Sequence, residues 1–571
     1  MAALRVWAPA VGRLRVRADG AETDLRPAGG GWWDGPHLRP GTDYGFLLGD
    51  SAELVPDPAS RWQPTGVHGP SRFYDQDAYE WHDGRWPGRD LTAAVIYEMH
   101  VGTFTSGATF DSALERLDHL VDLGITHVEL LPVNDFNGTW NWGYDGVDWY
   151  AVHEAYGGPD GLKRFVDACH NRGIAVVLDV VYNHLGPSGN YLPRFGPYLK
   201  SGRSTWGDLV NVEEPAVREF IIDNALMWLR DYHLDGLRLD AVHALQDSSP
   251  THILAELGSS VAALAQQLRR PLPLIAESDL NDPVMITPRD EGGYGLDAQW
   301  DDDVHHALHA LLTGERQGYY CDFGSLEVLA RVFTHAFLHD GTYSTFRKRV
   351  HGKPIDRDRL RGWQFVGCLQ NHDQVGNRAV GDRLTELTSA ELVRVGAVLL
   401  LTCPFTPMLW MGEEWAASTR WPFFTSHPQP ELAAATGQGR VEEFAEHGWD
   451  VAQMIDPQDA KAYQEAVLDW AEPARPGHRD TLDLYRALIA LRAREPDLRD
   501  GDLRRVGVTY DDASRWLVVN RGRFRVAANL AAVEQPLPVP AGEIVLATAT
   551  ARFAGGGLLL APQCAAVVRP N

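Results

Sequence analysis

The chain has 571 residues, of which 44% are hydrophobic, and its formal net charge is −25 at pH 7. This length and apolar content suit a large catalytic domain with two smaller domains. The acidic balance argues against nucleic acid, which is bound by clustered Lys and Arg, and against an acidic substrate; a neutral substrate such as a sugar is compatible with it.

The sequence also bears on location and on bound groups. No apolar run approaches the roughly 18 residues that a membrane span requires, and the N-terminal segment lacks the apolar core of a secretion signal. The cysteines are odd in number and scattered without metal-ligand spacing, at Cys169, Cys321, Cys368, Cys403 and Cys564. We therefore expect reduced, buried thiols in a cytoplasmic protein, with no cofactor and no metal ion.

Both ends of the chain are typical of β-sandwiches. Residues 1–88 contain short strand-like runs separated by Gly and Pro, namely RVWAPA, GRLRVRA and YGFLLG. Residues 498–571 have the same character, with RWLVVNRG, RVAANLA, GEIVLATAT and GLLLAP. The sequence therefore predicts an N-terminal and a C-terminal β-sandwich domain around a central region.

The central region, residues 89–497, alternates between strands and helices and predicts a (β/α)₈ barrel. The expected strands are AAVIYEMH, THVELLP, IAVVLDVV, DGLRLD, LPLIAES, a less regular sixth unit at 296–312, WQFVGCLQ and FTPMLWMG. Helices are expected over 110–124, 159–171, 217–232, 251–268, 390–402 and 480–495. A long insertion after the eighth strand, about 413–448, is expected as a loop over the barrel mouth.

Acid–base residues concentrate in four short strings of this region: DVVYNH, GLRLDAVH, LIAES and LQNHDQ. Three strings place a carboxylate at the end of an apolar run, Asp240, Glu277 and Asp373. Because the carboxyl ends of all barrel strands meet at one face, these side chains are expected at one active site. Paired carboxylates with a sugar between them are typical of a glycosidase.

The local chemistry suggests different roles for the carboxylates. Arg238 and Asp240 lie two residues apart, so they share one strand face about 6.6 Å apart along the axis. A guanidinium beside Asp240 keeps it ionised, as a nucleophile requires. Glu277 follows apolar residues near negative charge, which raises its pKa and suits a general acid. Asp373 is placed to hydrogen-bond substrate hydroxyls.

Each residue also has a structural explanation when taken alone. The Arg238–Asp240 pair could be structural, Asp179 and Asn183 could brace the end of the third strand, and His184 could be a satisfied core histidine. Their combination at the strand ends of one barrel pattern favours an active site.

The four strings resemble the four signature regions of the α-amylase family of glycoside hydrolases. The resemblance implies Asp240 as nucleophile, Glu277 as acid/base and Asp373 as transition-state stabiliser. It also implies further residues around the sugar at subsite −1: Arg238, His184, His372 and, from WNWGYDG, the stacking Tyr144, which as a loop aromatic could also be structural.

Longer strings resemble a narrower branch of this family over most of the chain, among them HEAYGGPDGLKRFVDACHNRG, WGDLVNV, IAESDLND and LQNHDQVGNR. The N-terminal RVWAP module is similar to that of isoamylases and branching enzymes, a carbohydrate-binding type. This resemblance implies cleavage of the α-1,4 bond next to the terminal trehalose of maltooligosyl trehalose, with trehalose as product. It also implies a functional pairing with a maltooligosyltrehalose synthase, without implying direct contact.

Residues that hold the trehalose are less clearly indicated. The candidates are Trp206, His243, Asp279, Gln374 and the pair Phe423 and Phe424, of which the Phe pair could equally belong to the core.

Two other classes of function stay open. The first is another α-glucan enzyme of the same superfamily: a branching enzyme, a debranching enzyme or an amylase. Branching and debranching enzymes usually differ where this chain has QNHDQVGNR. The second is a non-catalytic glucan-binding protein, but such relatives usually lose a carboxylate of the catalytic triad, and none is lost here. A trehalose-releasing hydrolase is therefore favoured.

Overall fold

The computed structural model describes residues 3–446 and 454–571. The described residues before the barrel form two antiparallel sheets, of order β1-β5-β4 and β3-β2-β6-β7. Their strands are β1 (Ala3–Trp7), β2 (Leu14–Ala18), β3 (Ala21–Asp24), β4 (Arg26–Gly29), β5 (Trp32–His37), β6 (Asp43–Leu48) and β7 (Ser71–Arg72). Alternate apolar residues of these strands are buried, such as Leu14 and Val16 of β2, as expected for sheets with one solvated face.

A closed parallel barrel follows, with the strand order β8-β9-β12-β15-β16-β17-β20-β21 and β21 pairing back with β8. The strands of this region are β8 (Ile96–Met99), β9 (His127–Leu130), β10 (Asn134–Asp135), β11 (Asp148–Val152), β12 (Ala175–Val180), β13 (Leu199–Arg203), β14 (Asp208–Val210), β15 (Gly236–Leu239), β16 (Leu274–Ala276), β17 (Ala298–Trp300), β18 (Thr342–Ser344), β19 (Arg349–His351), β20 (Phe365–Cys368) and β21 (Thr406–Trp410). The predicted (β/α)₈ barrel is confirmed.

The helices of the described residues lie mostly between the barrel strands. They are α1 (Val101–Phe104), α2 (Phe110–Leu114), α3 (Leu117–Leu123), α4 (Gly158–His170), α5 (Leu192–Phe195), α6 (Pro215–Asp231), α7 (Ile253–Leu268), α8 (Asp302–Thr313), α9 (Leu326–His335), α10 (His372–Gly376), α11 (Leu384–Leu387), α12 (Ala390–Thr402), α13 (Pro430–Glu446), α14 (Ala460–Glu465), α15 (His478–Arg494) and α16 (Pro496–Arg499). The helix predicted over 390–402 is observed with those bounds. The helix predicted over 110–124 is divided, because Arg116 has φ −111° and ψ 0°.

Helix α12 shows how burial and capping define an element. Ser389 caps its N-terminus by accepting a hydrogen bond from the backbone N–H of Leu392. Its apolar residues are buried on nearly every side, since the helix contacts both α15 and the C-terminal sheet. Burial of one such leucine, Leu400, contributes about 1.5–3 kcal/mol.

The C-terminal residues form a five-stranded sheet, β22-β23-β24-β29-β26, and a three-stranded sheet, β25-β28-β27. The strands are β22 (Gly507–Asp511), β23 (Trp516–Arg521), β24 (Phe524–Asn529), β25 (Gln535–Leu537), β26 (Gly542–Ala547), β27 (Ala551–Ala554), β28 (Gly557–Leu560) and β29 (Cys564–Pro570). Buried residues of both sheets, such as Val518 and Leu558, pack in one cluster, as the sandwich prediction requires.

Some features differ from the sequence-based expectation. The chain between α8 and β20 carries an additional helix and the β18–β19 hairpin, which no periodic pattern indicated. The insertion after the eighth strand contains the long helix α13 rather than only a loop; Gly448, its expected end, lies outside the described residues.

The insertion also contacts the mouth of the barrel. Thr425 forms a β-bridge with Asn141, which lies in the segment after the second strand. The guanidinium of Arg440 donates to the backbone oxygen of Gly376 and the side-chain oxygen of Asn377, after the seventh strand.

Two further findings concern helices and thiols. Within residues 3–446 and 454–571, no helix is long and apolar enough to cross a membrane. The five cysteines are free; Cys321 is partly exposed and the other four are buried.

Candidate active site

The site is built on a polar layer above the apolar interior of the barrel. Residues two apart on a strand share a face, and Ile96 and Val177 point into a buried apolar cluster inside the barrel. Two residues further along the same strands are Glu98 and Asp179, at 1% and 2% exposure. The alternation of the strands therefore places carboxylates toward the barrel mouth.

Arg238 lies at the centre of this layer and has no exposed surface. Its Nη1 donates to Asp179 Oδ2 at 2.6 Å and to Asp240 Oδ1 at 2.8 Å, and its Nη2 lies 3.8 Å from Glu277 Oε2. The guanidinium also sits 4.2 Å from the ring centroid of Trp300. One buried cation thus compensates several carboxylates and fixes their relative positions.

Glu277 is held in the protonated form at neutral pH. Burial raises the pKa of its carboxyl group to about 8; Arg238 lowers the pKa, whereas Asp240 and Asp373 raise it further. Its Oε2 accepts the backbone N–H of Ala241 at 2.5 Å. Ala241 adopts a left-handed φ of 40°, a strained conformation that directs this N–H at the carboxyl group. Glu277 can therefore donate a proton.

Asp240 is surrounded by hydrogen-bond donors. Besides Arg238, the side-chain amide of Asn183 donates to Asp240 Oδ2 at 2.7 Å and to its backbone oxygen at 3.0 Å. The side chain stays 13% exposed at the mouth. Donors of this kind stabilise an ionised carboxylate, so Asp240 meets the requirements of a nucleophile.

Tyr144 and His372 form a second group of contacts in the site. The hydroxyl of Tyr144 donates to Asp179 Oδ2 at 2.6 Å and lies 2.8 Å from His372 Nε2. The two rings are stacked with centroids 5.1 Å apart. Asp373 Oδ2 lies 3.4 Å from His372 Nε2, and its side chain is 40% exposed, so it is open to a ligand.

His184 is oriented by its neighbours. Its Nδ1 lies 2.6 Å from Asn183 Oδ1 and its Nε2 lies 2.9 Å from the backbone oxygen of Tyr144. Asn183 therefore connects His184 to Asp240, and the residues that the sequence places around subsite −1 share one hydrogen-bond network.

A polar cavity lies beside Asp279. Asp279, Asp302, Tyr319, Phe346 and Arg347 contribute to its lining. Arg347 Nη1 donates to Asp279 Oδ2 at 2.8 Å. Burial raises the pKa of Asp302 to about 7, and Asp373 raises it further. We call this space the Asp279 cavity.

Three further candidates lie at its border. Trp206 is 48% exposed and lies parallel to His184, with ring centroids 6.1 Å apart. Its edge faces His243 at 6.0 Å, and His243 Nδ1 lies 3.8 Å from Asp279 Oδ1. Gln374 accepts a hydrogen bond from the hydroxyl of Tyr319 at 3.3 Å. Trp206 thus adjoins the −1 network, whereas His243 and Gln374 contact residues of the Asp279 cavity.

The Phe pair divides into two environments. Phe424 has no exposed surface and packs edge-on against His100, Trp421 and Tyr463, so it belongs to the core and offers no surface to a sugar. Phe423 is partly exposed, and the guanidinium of Arg440 lies 4.7 Å from its ring centroid.

Sequence reasoning did not select four residues that the structure brings to the site: Glu98, Asp302, Tyr319 and Arg347. Glu98 had a detectable signal, since a carboxylate inside the apolar run AAVIYEMH must be either paired or neutral when buried. Asp302 follows the sixth strand and could have been found by the same strand-end rule. Tyr319 and Arg347 lie in an irregular excursion, where no period predicts position.

The described residues contain no group of three or more His, Cys, Asp or Glu side chains that could hold a metal ion.

Comparison with known proteins gives a consistent picture. Residues 69–196 match the family model of the alpha amylase catalytic domain, and residues 501–568 match a domain of unknown function. The chain is 54% identical to malto-oligosyltrehalose trehalohydrolase from Arthrobacter ramosus, with 99% of each chain covered. It is 52% identical to the protein of the same name from Rhizobium sp. strain M-11, covering 99% of this chain and 97% of the relative.

A solved structure extends the similarity to three dimensions. A Salmonella typhimurium protein provisionally described as an alpha amylase superposes with a TM-score of 0.91 at 37% identity, covering 100% of this chain and 97% of that one. Sequence identity above one half along almost the whole length establishes that the chain belongs to the malto-oligosyltrehalose trehalohydrolases of the alpha-amylase glycoside hydrolase family.

Proposed function

We propose that this protein hydrolyses the α-1,4 bond next to the terminal trehalose of maltooligosyl trehalose and releases trehalose, with retention at the anomeric carbon. The observation that carries the proposal is the arrangement around Arg238. One buried guanidinium donates to Asp240 at 2.8 Å and lies 3.8 Å from Glu277, whose pKa burial raises to about 8, so Asp240 and a protonated Glu277 lie beside the same cation.

The first chemical step uses both carboxyl groups. Glu277 gives its proton to the glycosidic oxygen while Asp240 attacks the anomeric carbon. The bond between that carbon and the oxygen breaks, trehalose leaves with a free 4-hydroxyl, and a glycosyl ester forms on Asp240. Asp373, exposed beside His372, is placed to bind hydroxyls of the sugar that bears the developing charge.

The second step restores the enzyme. Glu277, now ionised, takes a proton from water, and the resulting oxygen nucleophile attacks the anomeric carbon. The ester to Asp240 breaks, and the shortened maltooligosaccharide is released. Arg238 and Asn183 stabilise the carboxylate of Asp240 as it regains its charge.

The protonation state of Glu277 predicts how the rate of the first step depends on pH. Glu277 acts while protonated, and its pKa is raised to about 8. Its proton is therefore present below that pH and is lost as pH rises through it, so cleavage of the natural bond should fall at alkaline pH.

The Asp279 cavity supports the choice of trehalose as the leaving group. Asp302 of its lining interacts electrostatically with Glu277, and the lining offers carboxylates, a guanidinium and the partly exposed Phe346. Polar groups in a fixed geometry reject a sugar whose hydroxyls leave them unpaired. A maltose unit bends differently from trehalose and would leave some of these groups without partners.

The substrate itself must come from an enzyme that converts the reducing end of a maltooligosaccharide into trehalose. We expect a maltooligosyltrehalose synthase to supply it, with no requirement for direct contact between the two proteins.

Product analysis tests the proposal. The purified protein is incubated with maltooligosyl trehalose, with a maltooligosaccharide of equal length and with a branched glucan. Trehalose from the first substrate alone is expected, with the Asp240→Asn variant as the control for contaminating activity. Maltose released equally well from the plain maltooligosaccharide would indicate an amylase, and new or lost branches would indicate a branching or debranching enzyme.

A further inference from the structure

Glu98 is a buried carboxylate in the barrel interior, and both of its oxygens are used by His372. Its Oε2 accepts the backbone N–H of His372 at 3.0 Å, and its Oε1 lies 2.6 Å from His372 Nδ1. Glu98 is on β8 and His372 begins α10, so the contact joins the first and seventh strand ends. This two-point contact fixes the plane of the imidazole.

The other side of the ring determines its protonation state. Nε2 lies 2.8 Å from the hydroxyl of Tyr144, which lies 2.6 Å from Asp179 Oδ2. A tyrosine hydroxyl carries one proton, and an ionised Asp179 accepts it. The Nε2 atom must then contribute its own hydrogen to Tyr144, while Nδ1 contributes one to Glu98. With both nitrogens as donors, His372 is an imidazolium.

The surrounding charges agree with this pattern. Burial opposes the charge of His372, but Asp373 and Glu98 outweigh it and raise the pKa of the ring to about 9. Burial raises the pKa of Asp179 to about 6, although Arg238 opposes the rise. Between about pH 6 and about pH 9, Asp179 is therefore ionised and His372 is protonated, as the hydrogen bonds require. The titratable and charged groups that face His372 are Glu98, Glu129, Tyr144, Asp179, Arg238, Asp373 and His100.

Glu129 offers a matched comparison. It is the register neighbour of Glu98 on β9 and is equally buried, but neither of its oxygens has a hydrogen-bond partner. Burial, and then Glu98, raise the pKa of Glu129 far above its ordinary value, so it is a neutral acid. The barrel thus holds two adjacent glutamates, of which only Glu98 contacts His372.

We infer that Glu98 is a positioning residue for the proposed reaction: its carboxylate holds the His372 imidazolium against Tyr144 and thereby directs the tyrosine hydroxyl proton to Asp179. Glu98 does not touch the sugar. Without its charge His372 deprotonates at lower pH, and Tyr144 then donates to Nε2 instead. Asp179 then loses the hydrogen bond from Tyr144, and the electrostatic effect of Arg238 on Asp240 changes.

The test separates charge from shape. Glu98→Gln keeps the size and loses the charge, whereas Glu98→Asp keeps the charge and shortens the reach; Glu129→Gln is the control. The substrate is α-maltosyl fluoride, because fluoride departs without a proton from Glu277. The fall of kcat at alkaline pH, which we call the alkaline limb, then reports the deprotonation of His372.

We expect wild type and Glu129→Gln to retain activity up to about pH 9, the pKa of His372. Glu98→Gln should shift the alkaline limb to lower pH by about one pH unit or more. At pH 7 its kcat should fall about tenfold with KM little changed, since the interaction matters most in the transition state. Glu98→Asp should be more active than Glu98→Gln, because it restores the charge.

An unchanged limb in Glu98→Gln, or higher activity of Glu98→Gln than of Glu98→Asp, would overturn the inference. If neither variant folds, as judged by circular dichroism, the wild-type protein alone tests the charged His372 on which the inference depends. Its limb on the fluoride must then lie above its limb on the natural substrate, and coincidence of the two overturns the inference. The inference rests on the proposed function, whose own failure would appear differently, as no turnover of maltooligosyl trehalose by wild type at any pH.

Discussion

The barrel floor and the adjoining rim of the site are built in different ways. The floor comprises Asp179, Arg238, Asp240, Glu277 and His372, each on a barrel strand or within four residues of its end. The rim consists of residues in the connections between barrel strands, some in loops or hairpins and two in short 3-10 helices: Trp206, His243, Asp279, Tyr319 and Arg347. The floor residues are hydrogen-bonded and are buried or, for Asp240 and Glu277, exposed only in a small part of the side chain, whereas Trp206 is 48% exposed.

The difference suggests that the floor and the rim have separate roles in catalysis and in substrate selection. Charges in the floor are fixed before substrate arrives, and preorganised charges in a dry site stabilise transition states most strongly. The Asp279–Arg347 pair of the rim is about one third exposed, so solvent screens it and it contributes little to folding. We therefore expect changes in the floor to affect chemistry and changes in the rim to affect choice of substrate.

The largest effect should follow removal of the charge of Asp240, the nucleophile that we propose in the floor. Asp240→Asn keeps the shape and loses the charge, so kcat should fall by about four orders of magnitude or more. Binding of maltooligosyl trehalose, measured by calorimetry, should persist because the rim is intact. Turnover within tenfold of wild type would exclude Asp240 as nucleophile.

The second effect concerns the proton of Glu277. Wild type should lose activity on maltooligosyl trehalose as pH rises through about 8, the pKa to which burial raises this carboxyl group. Glu277→Gln should lower that activity by about 10²–10⁴-fold, because no acid protonates the departing oxygen. With α-maltosyl fluoride, formation of the glycosyl-enzyme should be largely spared. Equal losses on both substrates would mean that Glu277 supports structure rather than proton transfer.

The same two regions differ in how well the sequence predicts them. Period-two alternation and strand-end carboxylates locate Asp240 and Glu277, because a barrel brings all carboxyl ends of its strands together. The rim follows no such rule. Arg347 reaches Asp279 through a hairpin 68 residues further along the chain, and such a pairing depends on long-range packing rather than local pattern.

The pair Phe423 and Phe424 shows the same limit of sequence-based prediction for single residues. Both rings follow Pro422 in the insertion, and the sequence leaves open which of them is core. The structure buries Phe424 and leaves Phe423 partly exposed. The sequence leaves each ring a candidate for either the trehalose site or the core, and its complete burial assigns Phe424 to the core.

Substitution of each phenylalanine measures that difference. Phe424→Ala should lower the free energy of unfolding by about 3–5 kcal/mol, the range for a fully buried ring. Phe423→Ala should cost clearly less, since its ring is partly exposed and contacts Arg440. Denaturant unfolding of both variants checks the order. Equal losses would show that the two rings are packed alike.

The smallest effect should come from the rim and should be confined to specificity. Arg347→Met removes the guanidinium that donates to Asp279 at 2.8 Å and keeps most of the apolar stem. A lost polar contact to the leaving sugar is worth about 1.4 kcal/mol, or about tenfold in kcat/KM. We therefore expect the ratio of kcat/KM for maltooligosyl trehalose to that for plain maltooligosaccharide to fall about tenfold.

A matched control makes this prediction specific. Arg331, on α9 in the same excursion of the chain, pairs with Asp340 at 2.6 Å and does not line the Asp279 cavity. Arg331→Met should leave the ratio unchanged, and both variants should lose no more than about 1 kcal/mol of stability, as for other partly exposed ion pairs. If Arg347→Met instead lowered kcat/KM equally for both substrates, the rim would contribute to catalysis in general, and the division between floor and rim would not hold.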